Sequence, residues 1–311
     1  MRVAIIGRSE LMYNTALLIA KLGYTIPLVI TSKESPEYEV TSDDFERFAL
    51  SNNAIFINTA RINSSDVVAT LNALDKIDIA VSINYSGVIS EDIINKFRLG
   101  ILNAHGGDLP RYRGNACQAW AIINGETRIG LCIHKMVGGE LDSGDIVNRD
   151  FFPISEKTKI KQVYNWMNSR IPDLVVESLS RLEVDSNYLL EMQSKNPKLA
   201  LRCYPRTPDD GHIDWNKSNI DIIRLINASG EPFSGAFTSY NGKKIIIWDA
   251  EIFEDDEEYL ATPGQISSIN KEGYIIVITG NGKIKINEIE IDGNRTFMIN
   301  EIIKSIRIKL K

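Results

Sequence analysis

The sequence predicts a doubly wound, Rossmann-like α/β domain with a mostly parallel sheet, followed by a small C-terminal β-barrel domain of the OB-like type. Strand-length apolar runs alternate with helical stretches through the first half of the chain. The 311 residues, 43% hydrophobic and 24% charged, can form one large or two ordinary globular domains. Later in the chain the pattern changes to short strand-like runs with hairpin signals between them.

The first half of the chain is predicted to be strand and helix in turn. Val3–Ile6 is an apolar run that ends at a glycine, as the first strand of a parallel sheet does. Leu11–Leu22 has helical periodicity and is closed by Gly23. The same reasoning predicts the following strands at Ile26–Ile30, Ile55–Asn58, Ile77–Ile83 and Ile101–Ala104. The intervening helices are predicted at Ser42–Leu50, Ser65–Leu74 and Glu91–Phe97.

Two helices and two strands complete this domain. A helix at Asn115–Asn124 is followed by strands at Ile129–Met136 and Ile146–Ile154 and by a long helix at Ile160–Leu182. The two strands could pair antiparallel at one edge of the sheet, and the sequence leaves that open.

The composition and the hydrophobic pattern of the sequence change after about residue 195. Arg206–Asp214 is rich in Pro, Asp and Gly, as a linker is, and Ile220–Asn227 is helical. Strand-like runs follow at Ala236–Tyr240, Lys244–Ile247, Gly264–Ile269, Tyr274–Thr279 and Lys283–Ile289. We therefore expect an α/β domain at 1–195, a linker and helix at 196–232, and the barrel at 233–311.

Composition and missing motifs exclude several classes of function. The net charge is −6, which does not indicate a nucleic-acid-binding protein. The N-terminal apolar run is too short for a signal peptide or a membrane span, so we expect a cytoplasmic protein without a membrane partner. The loop after the first strand, Gly7-Arg8-Ser9, lacks the G-x-G-x-x-G pattern. With three irregularly spaced cysteines and three histidines, no metal site is expected, and His134 and His212 are interpreted as structural.

The stretch ILNAHGGDLPRYRGNACQAW, residues 101–120, carries the chemistry. Asn103 and His105 are two residues apart at the end of a predicted strand, so their side chains point to one face. The carboxyl edge of a parallel sheet is where open α/β folds bind ligands. Downstream, Asp142 lies in the glycine-flanked loop GGELDSGDIV, residues 138–147. A carboxylate beside an imidazole fixes its tautomer and raises its pKa.

Each of these residues also has a structural interpretation. Asn103 could cap a loop, His105 could be a satisfied turn histidine, and Asp142 could stabilise its own turn. Taken together at one sheet edge, they favour a catalytic site.

At these residues the sequence resembles the 10-formyltetrahydrofolate-dependent formyltransferase family. The shared features are an Asn-x-His pair, the LPRYRG loop at 109–114 and the LDSGD loop at 141–145. The resemblance extends to Asp78–Gly100, which is similar to the family's folate-loop region, and to DGHIDW at 210–215. Gly107 stands where the family has a serine, and Cys117 where a proline is frequent.

The resemblance implies roles for individual residues and N10-formyltetrahydrofolate as co-substrate. Asn103, His105 and Asp142 would be catalytic, with Asn103 and a protonated His105 donating to the oxyanion, and with Asp142 keeping His105 charged and helping to relay the amine proton. The implied folate-binding residues are Tyr85, Ser86, Gly87, Val88, Ile89, Gly139 and Leu141. The implied contacts to the acceptor are Arg8, Ser9, Gly107, Arg113, Gln118 and Trp215. Trp215 is equally well explained as a core anchor, and Arg113 is expected to fix its loop or a phosphate rather than to take part in the chemistry.

Within the family, the resemblance is closest to enzymes that formylate a nucleotide-linked amino-dideoxy sugar for lipopolysaccharide or S-layer glycans. The alternatives are a methionyl-tRNA formyltransferase and an enzyme that formylates another amine. Residues 232–311 hold 10 basic and 12 acidic residues, a net charge of −2, whereas a tRNA grip is positive. The stretch TSKESPEYEV after the second strand also lacks a basic insertion. A non-catalytic folate-binding relative stays open, and a homodimer is the working expectation.

Overall fold

The computed structural model describes residues 1–34 and 38–311, which divide into two compact units. The first comprises residues 1–114, 130–152 and 165–202, and the second comprises 115–129, 153–164 and 203–311. The units are therefore interleaved along the chain. The contiguous division at residues 195 and 232 stays a prediction. The stretch TSKESPEYEV includes residues 35–37, so the expectation placed on it lies partly outside the described residues.

The predicted strands and helices are present in the predicted order, most with boundaries that differ by a few residues, although the strand predicted at Lys244–Ile247 extends to Phe253. The sequence did not predict four short elements, which lie at Arg113–Gly114, Arg202–Cys203, Asn294–Thr296 and Ile299–Ile302. The strands up to residue 203 are β1 (Val3–Gly7), β2 (Leu28–Thr31), β3 (Ile55–Asn58), β4 (Ile79–Ile83), β5 (Ile101–His105), β6 (Arg113–Gly114), β7 (Arg128–Lys135), β8 (Ile146–Pro153) and β9 (Arg202–Cys203). The remaining strands are β10 (Ala236–Tyr240), β11 (Lys243–Phe253), β12 (Ile266–Ile269), β13 (Ile275–Ile278), β14 (Lys283–Ile291) and β15 (Asn294–Thr296). The helices are α1 (Ser9–Lys21), α2 (Ser42–Ser51), α3 (Ser65–Ala73), α4 (Glu91–Ile94), α5 (Cys117–Ile123), α6 (Ile160–Val184), α7 (Asn219–Ser229) and α8 (Ile299–Ile302).

The first unit is built on a seven-stranded sheet in the order β3-β2-β1-β4-β5-β7-β8. The pairs from β3 to β5 are parallel, and every residue of β1, β2 and β4 is buried. Strands covered on both faces are continuously apolar, which is the pattern that predicted them. Strand order reverses at β1 and β4, so the loops after these two strands leave the sheet at its switch point.

An antiparallel strand closes the sheet beside β5. Strand β7 pairs with β5 in a register that places Asn103 opposite His134 and His105 opposite Cys132. The sequence left this arrangement open. It brings a third polar side chain, that of His134, to the end of β5.

The second unit contains a six-stranded antiparallel sheet. Its strand order is β10-β11-β14-β13-β12, with β15 also paired to β14. The predicted hairpin at Asn241-Gly242 joins β10 to β11, and both residues have positive φ, 49° and 77°. Alternate strand residues and helix α7 form an isoleucine-rich core. The predicted fold class, a mostly parallel Rossmann-like sheet followed by an antiparallel sheet domain, is confirmed.

Two general features of the chain complete the fold. Among the helices in residues 1–34 and 38–311, none combines the length and apolar character that a membrane span needs. The three cysteines, Cys117, Cys132 and Cys203, are buried thiols.

Candidate functional site

The first unit brings together four polar side chains at the end of β5. Asn103 and His105 come from that strand, His134 comes from β7, and Asp142 comes from the loop between β7 and β8. His105 and His134 are 7% and 2% exposed, and the Asp142 side chain is 11% exposed. Sequence reasoning identified three of the four. It interpreted His134 as structural, whereas the structure places this residue in contact with two of the others.

His134 holds the amide of Asn103. Its Nδ1 donates to the Lys135 carbonyl at 2.9 Å, so its Nε2 can accept a hydrogen bond. Asn103 Nδ2 lies 3.1 Å from that Nε2. One amide N–H of Asn103 is thereby directed to His134, and the orientation of the whole amide is defined.

His105 is held in one tautomer by a backbone group. Its Nε2 donates to the Tyr112 carbonyl at 2.6 Å, because a carbonyl oxygen can only accept. Residue 107 has no room for a side chain, since a Cβ on Gly107 would lie 2.2 Å from the Tyr112 carbonyl oxygen and 2.5 Å from His105 Nε2. A serine at position 107 would therefore clash in this arrangement.

Asp142 is fixed in an unusual conformation beside both histidines. Its φ is +48°, in the left-handed region, and its Oδ2 accepts the Gly114 N–H at 2.9 Å. Oδ2 lies 3.4 Å from His105 Nδ1, and Oδ1 lies 3.5 Å from His134 Nε2. Left-handed residues other than glycine are strained by about 1–3 kcal/mol and cluster at functional sites.

The protonation states of His105 and Asp142 follow from burial and from each other. Burial lowers the pKa of His105 below 6.5, although the Asp142 carboxylate and the bond to Tyr112 raise it. Burial raises the pKa of Asp142, but the charge that His105 carries at low pH and the Gly114 N–H outweigh it and hold that pKa at about 2. At neutral pH the pair is a neutral imidazole and a carboxylate.

This pairing corrects the expectation that Asp142 keeps His105 charged. The tautomer with a proton on Nε2 leaves the Nδ1 lone pair turned towards Asp142 Oδ2. His105 Nδ1 and Asp142 Oδ2 are then two acceptors 3.4 Å apart. Such a pair can bind a proton, but it cannot donate a hydrogen bond to an oxyanion. The arrangement can take a proton from a nucleophile, while the Asn103 amide can donate to a developing negative charge.

The loops after β1 and β4 contact each other at the switch point of the sheet. Arg8 Nε donates to the Asn84 carbonyl at 3.0 Å, and its Nη1 donates to the Lys33 carbonyl at 3.0 Å. Ser9 is 3% exposed, and its Oγ accepts from Asn84 Nδ2 at 3.1 Å. The Ser9 side chain is therefore committed to the protein, which does not fit the direct substrate contact expected from the sequence. Ser86 Oγ is hydrogen-bonded to Ser32 Oγ at 2.8 Å.

The residues that resemble a folate loop differ in what they offer to a ligand. The Tyr85 hydroxyl donates to the Thr59 carbonyl at 2.7 Å, and burial raises the pKa of that hydroxyl. Ile89 is buried in the core of the first unit, so its side chain is not exposed to a ligand as the resemblance implied. Val88 and Leu141 are exposed, at 76% and 40%.

A hydrogen bond at the start of α4 joins the loop of residues 85–90 to the loop between β7 and β8. The Gly138 N–H donates to Glu91 Oε2 at 2.8 Å, and Glu91 is the first residue after the loop that holds Tyr85–Ser90. Gly139 has a φ of +74° and open space where a Cβ would be. The two loops therefore lie side by side at the start of α4.

The remaining predicted acceptor residues are buried or hydrogen-bonded within the protein. Arg113 donates through Nε and Nη2 to Gln193 Oε1, with the Nε bond at 3.0 Å, which supports the interpretation of Arg113 as a residue that fixes its loop. In the second unit, Gln118 on α5 is 9% exposed, and Trp215 is 4% exposed with its Nε1 donating to Thr238 Oγ1 at 2.9 Å. Trp215 is thus a core anchor, and its ring does not offer a face for base stacking.

In residues 1–34 and 38–311, no group of three or more His, Cys, Asp or Glu side chains is arranged to hold a metal ion.

Two family models match the chain. The model described as formyl transferase matches residues 1–179, and the model described as formyl transferase, C-terminal domain, matches residues 206–307. The first match includes all four side chains of the site. The second covers most of the antiparallel sheet domain.

Two relatives illustrate the similarity to individual proteins. The methionyl-tRNA formyltransferase of Acetivibrio thermocellus is 27% identical over 306 residues, which are 97% of this chain and 96% of that protein. The bifunctional polymyxin resistance protein ArnA of Wigglesworthia glossinidia brevipalpis is 30% identical over 279 residues, 87% of this chain. The chain spans only 40% of the length of ArnA.

Solved structures share the fold at low sequence identity. The N-formyltransferase of Helicobacter canadensis, crystallised with folinic acid and dTDP-3-aminofucose, superposes with a TM-score of 0.68 at 18% identity and covers 92% of this chain and 98% of that one. HypX from Aquifex aeolicus has a TM-score of 0.61 at 17% identity, covering 98% of this chain and 48% of HypX.

Proposed function

The chain belongs to the formyl transferase family, and from that premise we propose that it transfers the formyl group of N10-formyltetrahydrofolate to the amine of a nucleotide-linked amino-dideoxy sugar. The observation that carries the transfer is the cluster at the end of β5, where an oriented amide, a neutral imidazole and a carboxylate meet. These are the groups that an acyl transfer between nitrogens needs.

The residues act as follows in the proposed reaction. The acceptor amine attacks the formyl carbon, a C–N bond forms, and the former carbonyl oxygen becomes an oxyanion. The Asn103 amide, oriented by His134, donates to this oxygen; one such donor contributes on the order of 10²–10³ in rate. His105 Nδ1 accepts the proton that the amine loses, and Asp142 stabilises the imidazolium. The proton then passes to N10 as its bond to the formyl carbon breaks, so that the acceptor gains a formyl group and the folate gains a hydrogen.

The folate is proposed to lie along the loops that meet at α4. Val88 and Leu141 supply exposed apolar contacts, and the backbone at Gly139 is open. A titration with 5-formyltetrahydrofolate is expected to give a Kd of about 1 μM, near −8 kcal/mol. No detectable binding at about 1 mM ligand would rule out the folate donor.

Charge supports the sugar nucleotide as acceptor. The C-terminal stretch 232–311 has a net charge of −2, from 10 basic and 12 acidic residues, and a tRNA stem would be repelled rather than bound there. The fold likeness to an N-formyltransferase crystallised with dTDP-3-aminofucose is compatible with this choice. Homodimer formation and a role in lipopolysaccharide or S-layer glycan synthesis are part of the same proposal.

Methionyl-tRNA formylation is the second candidate. It is favoured by relatives of that name that match nearly the whole length of this chain, such as the Acetivibrio thermocellus enzyme. The two candidates differ in acceptor and share the donor and the cluster at β5.

One assay separates the candidates. Purified protein and N10-formyltetrahydrofolate are offered dTDP-, UDP- and GDP-linked amino sugars in one arm and initiator methionyl-tRNA in the other, with the impaired Asp142→Asn variant as the control. We expect folate turnover with one amino sugar and none with tRNA. Efficient formylation of the tRNA alone would establish the second candidate. Folate binding without turnover in either arm would favour the non-catalytic relative.

A further inference from the structure

Gln193 joins the two loops that carry the site. Its Nε2 donates to the Asp142 carbonyl at 3.0 Å and to the Gly144 carbonyl at 2.7 Å, and its backbone N–H donates to Asp145 Oδ1 at 2.9 Å. Its Oε1 accepts from Arg113 Nε at 3.0 Å and from Arg113 Nη2. The residue is 3% exposed, so these bonds are shielded from water.

The segment that holds Gln193 is itself anchored to the sheet. Leu190 and Glu191 donate their backbone N–H groups to the Ile146 carbonyl at 2.9 and 3.1 Å, and the Ile146 N–H donates to the Glu191 carbonyl at 2.9 Å. Ile146 is the first residue of β8, directly after the Asp142 loop. These backbone hydrogen bonds therefore fix the position from which Gln193 contacts the Asp142 loop.

Asp142 needs such an anchor. Its backbone has a left-handed φ of +48°, which a residue with a Cβ adopts only when surrounding contacts hold it. The Gly114 N–H holds its carboxylate, and Gln193 holds its carbonyl. Gly114 follows Arg113 directly, and the Gln193 side chain also binds Arg113. The same amide side chain therefore helps to fix both the carboxylate and the carbonyl of Asp142.

We propose that Gln193 is a positioning residue for formyl transfer, which sets Asp142 against His105 by tying the LDSGD loop to the LPRYRG loop. The proposal rests on the proposed function, because it assigns Asp142 a part in moving the proton. Gln193 touches neither reactant in this scheme. Its effect on rate is transmitted through the Asp142 carboxylate, which lies 3.4 Å from His105 Nδ1.

Two variants remove the amide donor in different ways. Gln193→Met keeps the length of the side chain and removes every side-chain hydrogen bond. Gln193→Glu keeps an acceptor for Arg113 and replaces the donor to the Asp142 and Gly144 carbonyls with an oxygen, and it serves if Gln193→Met does not fold. We expect either change to lower kcat by about 10- to 100-fold, since small displacements of a catalytic group have effects of that size. KM for the folate is expected to change by less than about 3-fold, because the variants lose the alignment of Asp142 and keep the contacts that bind the folate.

A double-mutant cycle separates positioning from a general loss of structure. In an Asp142→Asn background, Gln193→Met is expected to change kcat by less than about 2-fold, because residues that act as a unit are not additive. Asn148→Leu is the matched control. Asn148 is also a buried amide, 4% exposed, and its Oδ1 accepts from Arg181 Nη1 at 2.9 Å while its Nδ2 donates to Glu177 Oε2 at 3.1 Å. This control is expected to lower Tm while kcat is unchanged.

A titration of the Asp142 carboxyl without substrate tests the role of Gln193 whatever the acceptor is. Carbon-13 NMR of the Asp142 carboxyl is expected to give a pKa of about 2 in the wild type and a value nearer 3.8 in Gln193→Met, as the carboxylate loses its alignment with His105, His134 and the Gly114 N–H. If the wild type formylates nothing, the proposed function fails and the titration still decides the role of Gln193. An unchanged Asp142 titration, or equal rate losses in both backgrounds of the cycle, would overturn the proposal.

Discussion

Asn103 Nδ2 lies 3.1 Å from His134 Nε2, and this contact exists because β5 and β7 pair antiparallel with these two residues opposite each other. The two residues are 31 positions apart in the chain. The contact makes His134 part of the machinery that orients the oxyanion donor. It also changes what mutation of each histidine is expected to do.

Removal of His134 is expected to lower rate as well as stability. His134→Ala leaves the Asn103 amide free to rotate, and we expect kcat to fall by about 10- to 100-fold. His134→Gln, whose amide oxygen can accept from Asn103, should recover part of that loss. His212→Ala is the control, since His212 lies in the second unit against Phe237, at 5.2 Å between ring centroids. Steady-state kinetics beside thermal melts test this; a His134→Ala enzyme with lowered Tm and wild-type kcat would return His134 to a structural role.

The three residues identified from the sequence are expected to act as one unit. Asn103→Ala, His105→Ala and Asp142→Asn should each lower kcat by roughly 10²-fold or more, and the double variants should lose little further activity. Asparagine is chosen at 142 because it tolerates the left-handed φ of +48° better than alanine does. Single-turnover rates of single and double variants give the measurement. Additive losses would mean that the residues serve separate steps.

The protonation of His105 has a defined direction. Its pKa lies below 6.5 in the folded protein, so His105 is neutral above that pKa and gains a charge as the pH falls through it. Formyl transfer that uses His105 as a proton acceptor is therefore lost on the acid side. Because the Asp142 carboxylate raises this pKa, the Asp142→Asn variant should titrate His105 at a still lower pH. Proton–nitrogen NMR of the imidazole measures both, free of the amine's own titration; a His105 pKa above 6.5 would restore the charged-imidazole mechanism.

Gly7 is expected to be essential to the packing of β1 on β4. Its φ is +155°, and a Cβ there would lie 2.1 Å from the Ile83 carbonyl oxygen, which is backbone and cannot move aside. We expect Gly7→Ala to lower the free energy of unfolding by about 3 kcal/mol or more. Gly23→Ala is the control: its φ is +85° with nothing within 4 Å of the added Cβ, so the cost should be about 1 kcal/mol. Urea titrations of both variants compare the two, and equal losses would show that strain, not the close contact, is the cause at Gly7.

Short-range chemistry explains what could be inferred without a structure. Apolar runs and turn residues are local signals, so the strands and helices appear close to their predicted bounds, with Ile55–Asn58 unchanged and the Asn241-Gly242 hairpin confirmed. The spacing of Asn103 and His105 on one strand follows from the two-residue repeat of a strand. Asp142 was found because glycines on either side predict a loop.

The sequence by itself determined the order of elements, the fold class and three polar groups at one sheet edge, because each depends on neighbours within a few positions. Only the tertiary structure decided that His134 faces Asn103, that Gln193 holds Asp142 and that Trp215 is buried, since these depend on strand register and on contacts between distant segments. It also decided the charge of His105. A pattern can place a carboxylate beside an imidazole, but the pKa depends on how much water burial removes from both, and here burial has the larger effect.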